Sequence, residues 1–597
     1  RHTLKMGEEY LPMRFNYAQN NVASGVFNFG PGYTQEGPFT PVGGFDYASY
    51  LLGYADGGGN NAVSLVAAQQ INQSLYFGDT WQATHKLTLN LGLRWDVIGP
   101  WSERFNRMSS WNLNVTNPVA QANGIKGIGE ICVVDSSCRA SRNAVNTDYK
   151  DFAPRFGLAY RLTNKTVVRG GYGIFYIPIL RDWSETPNND FVNAIGTPFI
   201  TTYNGGITPA NPTQGWSNPF PTGIVQPIGH SQSEVGALML NSDGATADVP
   251  NAPPGYMQQW NFDIQQELPK GFFLDAAYAG SRGNHLAEAP ETVNNLPDKD
   301  LVLGTALDNQ VPNPWYGLVT QGYLSTPTIT ESSLLQPYGP YGIGAAATGW
   351  ADSYYNSMQL KLEKRFTGGG TLLVAYTLSK LMDDTDSVAG WLEGNTGGEA
   401  GVIDWNCYKC SYSLSSDDYP QRLVISYVQN LPIGHGQRFL SGVHGPADKL
   451  ISGWGADGIT TFMSGAPLKI GNSGGGTMPN RVCKNAKLPG SAESRLDEWF
   501  NTSCFQLSAP FTYGDESRVD PNLRQEGMNN WDFALFKNTS FGPAERLGVQ
   551  FRAEFFNLFN RPQFGPPATT VGVSNFGLVS TQINNPRLIQ FALRFMF

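Results

Sequence analysis

The sequence predicts an all-β protein, namely an antiparallel transmembrane β-barrel of the outer-membrane type. Three features support this fold class. Segments long enough to cross a membrane alternate between apolar and polar residues, which places the two kinds of side chain on opposite faces of a strand. Short turns alternate along the chain with long loops, and the last residues form an amphipathic strand that ends at Phe597.

The clearest alternation runs from Lys86 to Ile98. Leucine, tryptophan and valine occupy the odd positions of this segment, whereas threonine, asparagine, glycine, arginine and aspartate occupy the even positions between them. A strand that crosses an outer membrane needs about 9–11 residues, and this segment is long enough. Because only every second side chain meets lipid, the mean hydropathy of a barrel stays low. The value of −0.28 fits a barrel and also fits a soluble β protein.

The unit of strand, short turn and strand recurs along the whole chain. With Arg1–Tyr10, which we also interpret as strand, the pattern gives about fourteen to sixteen strands. Since lipid offers no partner for free backbone groups, the sheet must close into a barrel. The other predicted strands are Gln73–Ala83, Lys86–Ile98, Phe152–Leu162, Thr166–Tyr176, Tyr256–Leu268, Gly271–Gly280, Tyr354–Phe366, Thr371–Leu381, Gln421–Leu431, Gly453–Leu468, Asn530–Ser540, Arg546–Phe556 and Ile589–Phe597.

Long segments rich in Gly, Pro, Asn, Ser and Thr separate these hairpins. A compact soluble domain seldom contains so many long loops. Outer-membrane barrels have short periplasmic turns and longer extracellular loops, so we assign the long segments to the cell exterior. They are Pro100–Lys150, Pro178–Pro254, Asn284–Asp352, Asp383–Pro420, Asn472–Met528 and Arg561–Asn584.

Composition narrows the possible partners. The net charge of −9 leaves no basic footprint, so we expect no binding to nucleic acid. No run of about 18 apolar residues predicts a transmembrane helix, and contact with outer-membrane lipid is expected through strands instead. The chain opens at Arg1, without an initiator Met, in what reads as a strand. We therefore expect a signal peptide and earlier strands to precede it.

Six cysteines form three close pairs, all inside the predicted extracellular loops. An even number in local pairs indicates loop disulfides in an oxidising compartment. The alternative is metal binding, because one pair forms a CxxC motif, but a structural zinc site needs a second pair of ligands nearby. None is visible, so we favour disulfides and predict no metal. The pairs are Cys132 and Cys138, Cys407 and Cys410, and Cys483 and Cys504.

Enzymatic motifs are not recognisable. The six histidines are scattered, and neither HExxH nor GxSxG occurs. The glycine runs at 57–59 and 474–476 lack the Lys-Ser/Thr of a phosphate-binding loop. We therefore expect no catalytic residue and no cofactor, and we predict that the protein is not an enzyme.

One predicted loop carries five carboxylates near its two ends. They could bind Ca²⁺ through oxygen ligands, but the spacing of an EF-hand is absent. We therefore favour a solvated acidic loop. The residues are Asp383, Asp384, Asp386, Asp417 and Asp418.

Charged side chains within the predicted strands favour one parity, which we assign to the barrel lumen. A charge at the lipid midplane would cost about 2–4 kcal/mol, so this confinement supports the register. The charges form either a wetted interior with cross-strand ion pairs or a wall that contacts a plug or a passing solute. They are Arg94, Asp96, Asp263, Asp275, Lys361, Glu363, Arg552, Glu554 and Arg594.

Large aromatic residues occur at intervals in the predicted strands. They form either belts at the two membrane interfaces or scattered lipid-facing positions. Neither interpretation implies recognition of a ligand. The residues are Trp95, Tyr160, Trp260, Tyr278 and Trp531.

The terminal strand resembles the signal that the barrel-assembly machinery of the outer membrane reads. Apolar residues alternate with Gln590, Ala592, Arg594 and Met596 until the chain stops. The alternative is a closing strand whose last residue anchors at the interface. We predict the machinery as a partner, and the predicted signal consists of Phe591, Leu593, Phe595 and Phe597.

Several strings resemble Oar-like TonB-dependent receptors. They are FAPRFGLAYR at 152–161, TVVRGGYGIFY at 166–176, YAGSRGNHL at 278–286, LKLEKRF at 360–366 and FRAEFFNLFN at 551–560. The resemblance runs from about Gln73 to Phe597 and is strongest in the hairpins. It implies a 22-stranded barrel with a plugged lumen, and coupling to the TonB complex through an N-terminal region. We expect residues 1–597 to be the barrel domain, with plug, TonB box and N-terminal module outside this sequence.

The expected function is uptake of a bulky solute across the outer membrane by a TonB-dependent receptor. The extracellular loops would capture the ligand, and the sequence identifies neither the ligand nor the residues that bind it. Two alternatives stay open. One is a passive porin or an outer-membrane adhesin or structural barrel, and the other is a soluble secreted β protein such as a carbohydrate-binding sandwich.

Overall fold

The computed structural model describes most of the chain. The described residues are 1–18, 20, 22–36, 42–55, 57–125, 129–138, 141–143, 146–177, 194–199, 220, 223–231, 244–247, 251–286, 291–319, 324, 326–345, 349–366, 369–385, 402–541 and 547–597.

Fourteen long strands form one antiparallel sheet in which each strand pairs with its neighbours in chain order. This meander is the topology of an outer-membrane barrel. The strands are β1 (His2–Tyr17), β2 (Val66–Gln82), β3 (Leu87–Ile98), β4 (Asp151–Arg161), β5 (Thr166–Tyr176), β6 (Tyr256–Leu268), β7 (Phe272–Leu286), β8 (Ala351–Arg365), β9 (Gly370–Asp383), β10 (Gln421–Asn430), β11 (Trp454–Met463), β12 (Met528–Phe541), β13 (Leu547–Phe556) and β14 (Leu588–Met596).

The all-β prediction is confirmed, and the fourteen strands agree with the predicted number. Closure of the wall by these strands is not observed, because no ladder joins β1 to β14 within the described residues. No helix in the described part of the chain is long and apolar enough to cross a membrane.

Predicted and observed strand limits agree best where alternation is unbroken. Thr166–Tyr176 and Tyr256–Leu268 match residue for residue. Strand β2 begins at Val66 instead of Gln73, because its first residues pair with β1 up to Tyr17. Strand β11 ends at Met463 instead of Leu468, because Leu468 turns into a buried loop core.

Six connections lie at one rim of the sheet. Five of them have three to five residues, at 83–86, 162–165, 269–271, 366–369 and 542–546, and the remaining one, at 431–453, has 23. In the first, the hydroxyl of Thr84 accepts hydrogen bonds from the backbone of Lys86 and Leu87, which closes a Ser/Thr turn. In the third, Lys270 adopts the left-handed conformation with φ 64°, and a neighbouring glycine follows. Residues 367–368 of the connection at 366–369, where the strand pattern predicts a turn, and the whole connection at 542–546 lie outside the described residues.

Seven longer connections lie at the opposite rim, and they carry the remaining secondary structure. We name them L1 (18–65), L2 (99–150), L3 (177–255), L4 (287–350), L5 (384–420), L6 (464–527) and L7 (557–587). Their helices are Asp46–Leu52, Pro118–Ala122 and Glu331–Leu335, and a fourth helix, Pro446–Ile451, lies at the short-turn rim.

Short 3-10 helices and strands complete the connections. The 3-10 helices are Pro31–Tyr33, Pro269–Gly271, Asp298–Asp308, Tyr408–Ser411, Glu493–Arg495 and Thr502–Cys504. The short strands are Val26–Asn28, Gln35–Glu36, Val42–Gly43, Gly57–Val63, Ser102–Glu103, Ser109–Asn112, Glu130–Val133, Ala194–Pro198, Gly244–Ala247, Glu291–Thr292, Gln310–Pro312, Thr328–Thr330, Gly342–Ala345, Ser413–Leu414, Gly471–Asn472, Asn480–Arg481, Phe505–Gln506 and Thr570–Val571.

The strand registers place all nine predicted lumen charges on one face of the sheet. Arg94 of β3 bonds Glu9 of β1 at 2.8 Å and Asp96 at 2.7 Å. Arg552 of β13 reaches across β12 to both carboxylate oxygens of Asp457 on β11, at 2.7 and 2.8 Å. Cross-strand ion pairs therefore line this face, which we call the lumen face.

The opposite face presents large apolar side chains to the membrane. Phe77, Leu93 and Phe262 are about half exposed there, as expected of side chains that face lipid. The five predicted aromatic residues all have this parity. Trp95 stacks on Phe152 near the rim of the long loops, and Tyr160 lies near the rim of the short turns. This distribution favours belts at the two membrane interfaces.

Candidate functional site

The long loops meet at one rim, where a ligand arriving from outside would make first contact. Loops L2, L3 and L4 share an apolar core around Trp111, Ile131, Trp315 and Ile343, all almost completely buried. Five short strands from these loops form one sheet beside this core. We call this unit the first cap. A core of this kind fixes loops that composition alone would class as flexible.

Loops L6 and L7 share a second core. Its largest side chains are Trp499, Phe500 and Phe505 of L6, and Val571 and Val579 come from L7. The indole nitrogen of Trp499 donates to the backbone oxygen of Arg524 at 2.8 Å, so this buried ring keeps its polar group satisfied. We call this unit the second cap.

Ion pairs join loop L6 of the second cap to loop L5 and to the adjacent end of β9. The guanidinium of Arg518 is almost completely buried and bonds the carboxylate and backbone oxygen of Asp383 and the backbone oxygen of Ser411. Arg524 bonds the buried carboxylate of Asp418 at 2.6 Å. Both carboxylates thus have a cationic partner, which a buried charge requires.

These contacts correct the expectation of a solvated acidic loop. Asp383, Asp384 and Asp418 are buried, whereas Asp417 is exposed. Asp386 lies outside the described residues. Burial raises the pKa of Asp384 to about 6, although its side chain accepts a hydrogen bond from the backbone of Asp352 at 2.8 Å. The expectation failed because the arginines that pair with this loop come from L6, more than a hundred positions away.

Tyr513 connects three loops. Its hydroxyl contacts Asp298 of L4 at 2.6 Å and Asp404 of L5 at 2.9 Å. Asn406 of L5 also donates to Asp298, at 2.7 Å. Burial and the two carboxylates raise the pKa of the Tyr513 phenol, so the hydroxyl keeps its proton. Loops L4, L5 and L6 therefore meet at one hydrogen-bonded junction.

An aromatic cluster lies beside this junction. Trp350 stacks on Tyr408 with ring centres 4.3 Å apart, and Trp405 stands edge-on to both rings. Tyr408 lies between the cysteines of the CxxC motif. The cluster links the end of L4 to L5 and adds a partly exposed aromatic surface to the rim.

The structure joins each predicted cysteine pair by a disulfide bond: Cys132–Cys138 in L2, Cys407–Cys410 in L5 and Cys483–Cys504 in L6. Carboxylates lie close to two of these pairs, namely Glu130 and Asp404. A disulfide offers no thiolate to a metal, so these groups do not form a thiolate site while the bonds are intact. The pairing in the oxidised protein stays a prediction.

The terminal strand β14 is an edge of the described sheet. Its apolar residues Phe591, Leu593 and Phe595 have the lipid-facing parity, since Phe591 pairs with Ala553 and Phe595 with Val549 on β13. Phe597 follows the strand and is fully exposed. Their predicted role as an assembly signal stays a prediction.

The residues that hold the rim together were not foreseen from the sequence. Arg518, Arg524 and Tyr513 all lie in L6, where no alternation or motif distinguishes them. Their partners are distant in the chain, so no local pattern could reveal the contacts. The only local signal at the rim was the cysteine spacing.

Comparison with known proteins establishes the family but no specific ligand. The outer membrane transporter YddB from Escherichia coli is 10% identical over 89% of this chain, with a TM-score of 0.42. The ferric-catecholate import receptor Fiu from E. coli K12 is 10% identical over 100% of this chain and 52% of its own, with a TM-score of 0.38. The ferripyoverdine receptor of Pseudomonas aeruginosa is 11% identical over 89% of this chain and 39% of its own, with a TM-score of 0.36. The chain spans 46% of the length of YddB.

No curated protein matches the sequence. The model of the outer membrane beta barrel domain matches residues 1–590, which is nearly the whole chain. The chain belongs to this outer membrane beta barrel family, and its location is the cell outer membrane.

Proposed function

We propose that this chain supplies the wall and the extracellular loops of an outer-membrane receptor that takes up a bulky solute with energy from the TonB complex. The observation that carries the proposal is the organisation of the rim. The described parts of L2, L3 and L4 form the first cap, those of L6 and L7 form the second cap, and L4, L5 and L6 meet at Tyr513. Loops fixed before binding lose less conformational entropy when a ligand arrives, so they suit ligand capture.

The lumen face supports the same proposal. Some of its charges are paired across strands, as between Arg94 and Glu9 and between Arg552 and Asp457, so the wall is polar and charged. A wall of this kind can hold a plug or border a path for a solute. We propose that residues 1–597 form the barrel domain and that a plug and a TonB box belong to the preceding part of the same polypeptide.

Proteins of this architecture typically do not catalyse reactions, and we propose none here. At the short-turn rim, Ser452 and Asp448 lie close to His435. Both contact the backbone nitrogen of the histidine rather than its ring, so the group lacks the geometry of a hydrolytic triad.

The proposal is tested first by sequencing the coding region upstream of Arg1. A signal peptide, a TonB box and a domain-sized plug are expected. The second step supplies a defined mixture of peptides and oligosaccharides to cells that express the full-length gene, and it measures which solutes disappear from the medium. Cells with TonB intact are compared with cells in which TonB is deleted. Depletion that requires both the gene and TonB supports the proposal.

Two results would favour the alternatives. Depletion of small solutes without TonB would indicate a passive porin. No depletion, together with binding of cells to a surface that depends on the gene, would indicate an adhesin or a structural barrel.

A further inference from the structure

A recess lies on the lumen face of strands β1 to β4, between two cationic side chains. The ladders place Lys5, Gly78, Gly92 and Arg155 side by side in one row across the four strands. Since neighbouring strands lie about 4.8 Å apart, the Cα atoms of the two cations are roughly 14 Å apart. The glycines between them leave the wall without side chains, and the resulting recess has a volume of about 500 Å³.

Polar groups border this recess on its two remaining sides. Tyr76 and Arg94 face each other across β2 and β3 one row nearer the long loops, and Thr80 and Asn90 do so one row nearer the short turns. The recess therefore offers hydroxyl and amide groups beside the cations. We call it the Lys5–Arg155 recess.

The cations of the recess are not all balanced by carboxylates. Arg94 is paired with Glu9 and Asp96, and neither of these carboxylates lines the recess. The lining carboxylate, Asp79, has the lipid-facing parity and bonds the ring of His2 at 2.6 Å.

Lys5 and Arg155 have no ion pair with any carboxylate in the described part of the chain. The Arg155 guanidinium lies 4.7 Å from the ring centre of Phe175, which holds it at the boundary between this recess and a second one on β4 to β8. A cation–π contact orients an arginine without neutralising its charge. The recess thus presents two exposed positive side chains that no carboxylate of the described residues neutralises.

We propose that the Lys5–Arg155 recess binds an anionic group, a carboxylate or a phosphate. Lysine and arginine form charge-assisted hydrogen bonds with such groups, and threonine, tyrosine and asparagine complete their coordination. The anion belongs either to a free solute in the lumen or to an acidic side chain of polypeptide that lies inside the barrel. The inference needs only the observed wall, and it does not depend on the proposed uptake.

The test is calorimetric titration of the purified chain in detergent micelles with inorganic phosphate and with citrate. Saturable binding is expected. Lys5→Gln and Arg155→Gln each weaken it at least about tenfold, the loss expected for one charge-assisted contact. Lys361→Gln serves as the matched control, because Lys361 is a lumen-face lysine that lies outside the recess and contacts Glu363 at 3.7 Å.

A third variant fills the recess without removing a charge. A Cβ atom at Gly92 would meet no atom closer than 3.6 Å, and a side chain is more favourable than glycine in a strand. Gly92→Leu therefore keeps the fold, checked by circular dichroism, and blocks the anion. No saturable binding to the folded chain, or equal binding by all variants, would overturn the proposal.

The two sources of the anion are separated by repeating the titration with the full-length polypeptide. Binding that persists there assigns the recess to a free anionic solute. If the chain of residues 1–597 binds the anion and the full-length polypeptide does not, the recess is assigned to an acidic side chain of the preceding part.

Discussion

Replacing Arg518 by methionine tests whether its buried guanidinium holds loop L6 to the end of β9 and to loop L5. The side chain of Arg518 is 1% exposed and bonds Ser411, and the carboxylate of Asp383 is its ionic partner. Methionine fills a similar length without charge or donors. The substitution therefore leaves the Asp383 carboxylate buried without its guanidinium partner.

The expected cost follows from this loss. Removing one partner of a buried ion pair costs about 3–5 kcal/mol, because the remaining charge stays in a poorly solvated place. Since each 1.4 kcal/mol changes an equilibrium about tenfold, opening of the L5–L6 contact should increase roughly 100- to 4,000-fold. Asp383 is the last residue of β9 and pairs there with Ser353 of β8, so the substitution acts at one end of the wall and the barrel should stay folded.

Hydrogen exchange read by mass spectrometry measures this effect. Amides of 402–420 should lose protection in Arg518→Met, whereas amides of β12 and β13 should not. Arg438→Met is the matched control, because Arg438 is exposed at the opposite rim. Unchanged protection of 402–420 would refute the reasoning, as would the same loss in the control.

A second variant distinguishes the effect of leaving the Asp383 carboxylate without its guanidinium partner from the effect of lost side-chain packing. Adding Asp383→Leu to Arg518→Met removes both charges, and replacement of a buried pair by apolar residues is often close to neutral. Protection should therefore recover in large part. A double variant that is as open as the single one would show that packing of the arginine, and not its charge, holds the loops.

Three further predictions concern other parts of the molecule. Replacing Cys483 and Cys504 by serine removes a disulfide that spans 21 positions, which should cost about 3 kcal/mol and lower the thermal stability of the second cap. Labelling of the unreduced, unfolded chain with a maleimide should detect no free thiol, and any labelled cysteine would contradict the pairing. Burial raises the pKa of Asp384 to about 6, so between about pH 4 and 6 the folded chain holds a proton that the unfolded chain has released. The stability of the loop should therefore fall as the pH rises through this range. Melting curves of Asp384→Asn should lack this fall, and an unaltered pH profile would contradict the role of Asp384. Phe262→Arg should cost about 2–4 kcal/mol when the chain folds into lipid vesicles, whereas Asn261→Arg should be tolerated; equal effects would show that the assigned faces of β6 are wrong.

The wall could be predicted from the sequence because its determinants are local. A period of two along twelve residues, as in Leu87–Ile98, requires only that one face meet lipid and the other water. The turns are local as well, since the three residues Pro269–Gly271 reverse the chain between β6 and β7. The family match then covers the same residues that the alternation identified.

The rim could not be predicted in the same way, because its contacts join residues far apart in the chain. Arg518 is 135 positions from Asp383, and Arg524 is 106 positions from Asp418. The buried tryptophans of the first cap, Trp111 and Trp315, lie in segments without regular periodicity. Composition rich in glycine and proline predicted loops, and it contained no information on which loops pack together.

The two kinds of link at the rim differ in a way that bears on ligand capture. Each disulfide joins cysteines of a single loop, across 6, 3 and 21 positions, so the covalent bonds shape loops one at a time. The joints between loops L4, L5 and L6 are hydrogen bonds and ion pairs, at Tyr513, Arg518 and Arg524. Loops can therefore separate without breaking a covalent bond and without losing their own shape. A rim that binds a ligand and then admits it to the lumen needs this combination, and the opening measured for Arg518→Met reports the strength of one of its joints.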